Sequence, residues 1–595
     1  MSDESTARLN TLWGRLLVEE LARCGVDFVC ISPGSRSTPL TAAVARHGRI
    51  ESAVWLDERG AAFHALGRAR ATGRPAAVIC TSGTAVANYL PAAVEASQDC
   101  VPLLILTADR PPELIDAGAN QAIRQPGIFG DYVRWSATLP APDEGVPARA
   151  VLSTIDQAVH RALGPPAGPV HINCMFREPL EPVGDLPWPD DLPARWREGR
   201  GPLTAYARPE TGPDAESLEH TARIVSAAHR GLVVIGSLPA ERDREAAAVL
   251  SERLGWPVAA DIRSGLRLGA GPSGRVAHID QILMSVKVRE AFTPDVILHL
   301  GSQPVSKRLA QALAAPPDTE VISVQEHPFR RDPEHRVAHR LQSDIGRFCD
   351  ELGGRVASGS TTGAGAWGAR LRGLSERAGA AIDAFVATAP FGEIAAARLV
   401  SREIPAGHGL FLANSMPIRD MEMFADTTGP RPRIAANRGA SGIDGTVSAA
   451  AGFACGIGRP ATLMTGDLSL LHDLTALIHL RALPQPLVIV VLNNSGGGIF
   501  HFLPIARQPE LLDPWFTAPH DVDFAGVRAL FGIPFHRPAS AAEFSGVYRE
   551  ACASGAPAII EVRSARGANL AAHRTLGEVI VSAVEAGGNG DSSDF

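Results

Sequence analysis

At 595 residues, with 45% hydrophobic and 20% charged side chains, the chain has the composition of a soluble globular protein and is too long for one core. A formal net charge of −8 lacks the basic field that a nucleic-acid partner or a membrane surface calls for, and no apolar run is long enough to span a bilayer. Eight scattered cysteines form no C-x-x-C pair and read as reduced, mostly buried thiols, and the polar start "MSDESTARLN" does not read as a signal peptide. A cytoplasmic protein is expected.

In chain order, "PAAVIC", "VPLLILT" and "GPVHINC" read as buried strands, with one helix, "SGTAVANYLPAAVEAS", between the first two. "GLVVIG", "PDVILHLG" and "TEVISV" follow, then "GLFLAN", "ATLMTGD" and "PLVIVVLNN". Two segments rich in Pro, charge or small residues, Glu181 to Pro202 and Ala357 to Ala366, read as exposed linkers. They divide the chain into domains at 1–182, 203–355 and 367–585, with 586–595 a disordered tail. Strands alternating with helical patterns predict an α/β fold of three doubly wound parallel sheets, whose ligands bind at the carboxyl ends of strands.

Two such ends carry chemistry. "ATLM" ends in Thr465-Gly466-Asp467 and runs into an expected helix, "LSLLHDLTALIHLRAL"; the next strand, "PLVIVVL", ends in "NNSGGGIF". If the two strands are neighbours, the Asp467 carboxylate, the Asn494 amide and a backbone carbonyl at Gly496 converge as oxygen ligands for Mg²⁺ or Mn²⁺. The helix N-terminus at Asp467 and the glycines 496–498 suit a diphosphate. The plain alternative is an Asp cap and an Asn-Gly turn. Near the start, "AVWLDERGAAFHALGRARATG" places Glu58 between a short apolar strand and a helix whose Ala61, Ala62, Ala65 and Ala69 allow close packing. An ordinary acidic first-turn residue is the alternative there.

Taken together, the Gly-Asp and Asn-Asn pairs resemble the metal–diphosphate motif of thiamine-diphosphate enzymes, with Leu468 where that motif usually has Gly. The resemblance implies that Glu58 is the carboxyl that activates the cofactor, and that Ile443, in "RGASGIDG", is the wedge holding it bent. Further stretches narrow the likeness: "ISPGSRSTPL", "TADRPPEL", "GANQAI", "NSMPIRD", "NRGASGIDG", "GDLSLLHD" and "NNSGGGIFHFLP". Together they resemble the 2-succinyl-5-enolpyruvyl-6-hydroxy-3-cyclohexene-1-carboxylate synthase family of menaquinone biosynthesis, in which Gly-Asp is followed by Leu-Ser. The middle third resembles it mainly through "SQPVSKRL".

That resemblance implies an N-terminal pyrimidine-binding domain, a central domain and a C-terminal diphosphate- and metal-binding domain. It implies decarboxylation of 2-oxoglutarate and conjugate (1,4) addition of the remaining four-carbon unit to isochorismate. Thiamine diphosphate contacts are implied for Ser415, Ile443, Asp467, Leu468, Ser469, Asn494, Gly496, Gly497, Ile499 and Phe500. Both substrates are dicarboxylates, which suit guanidinium groups. The matching substrate candidates are Ser35, Arg36, Arg110, Asn120, Gln121, Lys307, Arg308, Arg419, Arg438 and Leu503. A homodimer or homotetramer with active sites between subunits is also implied. The rival is another thiamine-diphosphate carboligase or decarboxylase, such as an acetohydroxyacid synthase, which would need fewer arginines.

Overall fold

The computed structural model describes residues 2–357 and 364–586. The expected tail, apart from Ala586, and most of the second linker lie outside the described residues. Among the described residues, seventeen strands form three sheets, parallel throughout. The first sheet holds β1 (Phe28–Ile31), β2 (Glu51–Val54), β3 (Ala76–Cys80), β4 (Leu103–Asp109), β5 (Trp135–Leu139) and β6 (Pro169–Met175). The second holds β7 (Gly231–Ile235), β8 (Val258–Ala260), β9 (Val296–Leu300), β10 (Glu320–Gln325) and β11 (Val337–Gln342). The third holds β12 (Gly409–Leu412), β13 (Arg433–Ala436), β14 (Ala461–Gly466), β15 (Leu487–Asn493), β16 (Phe535–His536) and β17 (Ala558–Arg563).

The apolar runs become strands because helices cover both sheet faces; β3, β4, β7, β9, β12 and β15 are buried along their whole length. The outer sheets share one order, β2-β1-β3-β4-β6-β5 and β13-β12-β14-β15-β17-β16. Each therefore reverses direction between its first and third strands, the place where a crevice opens at the carboxyl edge. The middle sheet runs β11-β10-β9-β7-β8.

The chain packs as two compact units: one of 1–209, 437–459 and 471–486, the other of 210–436, 460–470 and 487–595. In the first unit, helix Glu58–Thr72 packs on helix Thr446–Ile457. Contact is so close that a Cβ on Gly67 would stand 2.0 Å from the Ala449 carbonyl oxygen.

Four expectations are corrected. The first linker is largely exposed but not throughout: Leu192 and Trp196 are buried in the first core, and Trp196 Nε1 donates to Glu20 Oε2 at 2.6 Å. Its few apolar side chains find a face that its Pro-rich composition hides. The helix expected after Asp467 stops at His472 and continues as a 3₁₀ helix, Leu474–Ala482. Asp473 breaks it, with φ −124° and ψ 29° and its carboxylate accepting from Ser448 N at 2.7 Å. The helix expected over "SGTAVANYLPAAVEAS" divides into Thr84–Asn88 and Leu90–Gln98, since Pro91 has no N–H for a continuous ladder. The apolar strand expected before Glu58 is an edge strand, with Val54 and Leu56 exposed and Trp55 buried. All eight cysteines are free thiols, five of them buried. No single helix among the described residues is long and apolar enough to cross a membrane.

Candidate active site

In the first unit, Glu58 opens its helix, but Asp57 does the capping, accepting from the N–H groups of Arg59 (2.9 Å) and Gly60 (3.4 Å). Glu58 is thus spared the role of helix cap. It is half-buried, and its Oε2 accepts from Asn88 Nδ2 at 3.1 Å. Trp55, three residues earlier, stacks on His479 with ring centroids 4.4 Å apart.

Around the carboxyl ends of β1, β3 and β4 lie Ser35, Arg36, Arg110, Asn120 and Gln121. Ser35, Asn120 and Gln121 are exposed. Arg36 is buried, donating to the Phe176 carbonyl at 2.9 Å and to Glu178 Oε1 at 2.7 Å. Arg110 donates to Ser82 Oγ at 2.8 Å, and burial and the neighbouring Arg36 lower its pKa. The two guanidinium groups are near enough to repel each other, and the carboxylates of Glu178 and Asp109 oppose that repulsion. Gln121, at φ 58°, donates to the Ser82 carbonyl at 2.8 Å. A buried network supports this loop. Gln125 Nε2 donates to Asn173 Oδ1 (2.8 Å), and Asn173 Nδ2 donates to Asp109 Oδ2 (2.8 Å). Arg438 is half-buried, and its loop is clamped by buried Glu95, which accepts from the N–H groups of Gly439 (2.9 Å) and Ala440 (2.7 Å). Ile443 is half-buried in the turn leading to Thr446, whose Oγ1 donates to its carbonyl at 3.1 Å.

In the second unit, β14 and β15 are neighbours, so Asp467 and Asn494 leave the same edge of one sheet, as expected. Asp467 is buried; Oδ1 accepts from Leu468 N at 2.7 Å and Oδ2 from Gly496 N at 2.9 Å. Burial raises its pKa, against those N–H groups and His520, whose Nε2 lies 3.2 Å from Oδ2. Gly496 has φ 146°, and a Cβ there would stand 2.6 Å from the Thr517 carbonyl oxygen. Gly497 N donates to that same oxygen at 2.6 Å, and buried Ser469 lies in the first turn after Asp467. Asn494 Oδ1 is buried and has no hydrogen-bond partner among the described residues. An orphaned amide oxygen on the sheet edge that carries a carboxylate is a donor set for a hard cation.

On the same sheet, Ser415 follows β12 in a strained conformation, φ 70° and ψ −131°, and its carbonyl accepts from Arg419. Ser415 and Asp467 thus flank the reversal point between β12 and β14. Ile499 and Phe500 are half-buried in the 3₁₀ turn Gly498–Phe502, while Leu503 is exposed. Lys307 and Arg308 open the helix Lys307–Ala314 that follows β9; Lys307 is exposed and Arg308 is tied to Asp280. Asn88, Glu95, Glu393, Gln125 and His520 were not legible in the sequence, because their contacts join segments distant along the chain.

Three family models match in order along the chain: thiamine pyrophosphate enzyme, N-terminal TPP binding domain, over 13–128; middle domain of thiamine pyrophosphate, over 188–412; and thiamine pyrophosphate enzyme, C-terminal TPP binding domain, over 420–562. The chain is 51% identical to the 2-succinyl-5-enolpyruvyl-6-hydroxy-3-cyclohexene-1-carboxylate synthase of Rubrobacter xylanophilus, covering 96% of this chain and 99% of that one. It belongs to that synthase family. Synthases of the same name from Salinibacter ruber (47% identical, 97% of each chain) and Chlorobaculum parvum (44%, 96% of this chain and 97% of that one) agree along nearly the whole length. Thiamine diphosphate is the cofactor of a synthase built this way. The narrowing from the superfamily to this synthase family, made on Leu468-Ser469 and the arginine-bearing loops, is borne out.

Proposed function

We propose that this member of the synthase family decarboxylates 2-oxoglutarate and adds the remaining four-carbon unit to isochorismate by conjugate (1,4) addition. The product is 2-succinyl-5-enolpyruvyl-6-hydroxy-3-cyclohexene-1-carboxylate, made in the cytoplasm for menaquinone biosynthesis. The observation that carries the reading is 51% identity to a synthase of that name over 96% of the chain. Thiamine diphosphate, when bound, supplies the nucleophilic carbon and the electron sink for loss of carbon dioxide.

The chain's own residues then have distinct tasks. Glu58 holds a proton at the aminopyrimidine of the cofactor, from a carboxyl free of capping duty. Asp467, the Asn494 amide oxygen and the Gly496 carbonyl hold Mg²⁺ or Mn²⁺ against the diphosphate, which Leu468, Ser469 and Gly497 border; the orphaned Asn494 Oδ1 supports this set. Ser415 and Ile443 position the cofactor. Ile499 and Phe500 wall the reacting carbon against water, with Leu503 on the substrate side. Ser35, Arg36, Arg110, Asn120, Gln121, Lys307, Arg308, Arg419 and Arg438 bind the carboxylates and hydroxyls of the two substrates. The domains proposed are 1–182 for the pyrimidine, 203–355 as central domain and 367–585 for diphosphate and metal. Active sites form between subunits of a homodimer or homotetramer.

Substrate choice tests the reading. With isochorismate present, carbon dioxide is released from 2-oxoglutarate and not from pyruvate at equal concentration. Preferred turnover of pyruvate would instead assign the chain to acetohydroxyacid-synthase-like chemistry.

A further inference from the structure

The two asparagines that end β15 are held by different carboxylates. Asn493 Nδ2 donates to Glu561 Oε1 at 2.5 Å, and its own Oδ1 accepts from Ser495 N at 2.9 Å, so both ends of that amide are used. Asn494 differs: Nδ2 donates to Glu393 Oε1 at 3.2 Å, while Oδ1 has no partner among the described residues. Glu393 is 1% exposed and begins the helix Glu393–Glu403, far from β15 along the chain. Its Oε1 also accepts the Ser564 hydroxyl at 2.6 Å. An oxygen that takes a hydroxyl proton is an acceptor, and toward an amide an acceptor selects the NH₂ end. Gly498 leaves room for that arrangement, since a Cβ there would stand 2.6 Å from Asn494 Nδ2.

We infer that Glu393 is a positioning residue for the cation site: it fixes the Asn494 amide so that Oδ1 faces the metal rather than NH₂. An amide free to rotate would present a donor to a cation for part of the time and lose affinity. The inference rests on the reading of Asn494 as a metal ligand. It adds a residue that touches neither metal, cofactor nor substrate.

The test is Mn²⁺ affinity, read by electron paramagnetic resonance titration with saturating thiamine diphosphate and the whole chain. Glu393→Gln keeps an acceptor oxygen and is expected to bind Mn²⁺ within about threefold of the parent. Glu393→Met removes it and is expected to weaken binding by about tenfold or more, the range seen for residues that orient metal ligands. At saturating metal, kcat of the Met variant recovers, which a general folding defect would not allow. In an Asn494→Ala background, Glu393→Met has no further effect on affinity, because the two act as one unit. Glu393→Asp withdraws the carboxylate by one methylene and gives the same reading if the Met variant does not fold. Parent-like affinity in the Met or Asp variant, or losses that add to that of Asn494→Ala, would overturn the inference. Parent-like affinity in Asn494→Ala itself would overturn the ligand reading instead.

Discussion

Asp57 and Glu58 are adjacent carboxylates with separate work. Asp57 satisfies the helix N–H groups, and the Glu58 carboxylate accepts from the Asn88 amide. The sequence made both available for a cap, and only the backbone geometry separates them. If Glu58 moves the proton that activates the cofactor, Glu58→Gln lowers turnover of 2-oxoglutarate by about 10² to 10⁴. Thiamine diphosphate affinity, measured by calorimetry, stays within about tenfold of the parent, because the diphosphate is held elsewhere. Unchanged turnover would refute that role. Asp467 and Asn494 were legible because a parallel sheet puts the ends of neighbouring strands on one edge. Their supports were not: Glu393 and His520 reach them from 101 and 53 residues away along the chain.

The first linker shows what composition alone misses at the scale of an element. Its Pro and charge content suggests an exposed connection, yet Trp196 is buried. The Arg23 guanidinium stacks over the Trp196 ring at 3.9 Å and donates to the Trp196 carbonyl at 2.6 Å. Beneath it, Glu20 accepts from Trp196 Nε1 and Leu203 N, and Asp156 accepts from Thr204 N at 2.8 Å. Burial, and then Asp156 beside it, push the Glu20 carboxyl up to about 8 from an ordinary value of 4.5. The folded chain therefore keeps a proton that the unfolded chain releases above its ordinary value. That contribution to stability is complete below pH 4.5 and is lost as pH rises through the folded value of about 8. Asp156→Asn, whose amide can donate to Glu20 without a titrating proton, is expected to flatten this decline. Urea midpoints at pH 5.5 and pH 8 measure it; an equal decline in both proteins would contradict the part given to Asp156.

For the whole molecule, alternation of strands and helices was enough to read three parallel sheets, and the matching order of the outer two sets a reversal point in each. What the pattern did not give is the packing into two compact units, in which 437–459 and 471–486 join the N-terminal residues. That division depends on close helix contacts such as Gly67 on Ala449, invisible to periodicity. Each unit also exposes apolar side chains: Val54, Leu56 and Ile478 on one, Leu511, Trp515 and Phe516 on the other. Such surfaces are expected to be covered in a homo-oligomer. Sedimentation velocity at micromolar protein should find a dimer or tetramer; a monomer alone would contradict active sites shared between subunits.

The most direct measurement of the central claim is the product itself. Purified protein with Mg²⁺, thiamine diphosphate, 2-oxoglutarate and isochorismate should yield one new species whose mass is the sum of the two substrates less carbon dioxide. Absence of that adduct, or an adduct formed as readily when pyruvate replaces 2-oxoglutarate, would contradict it.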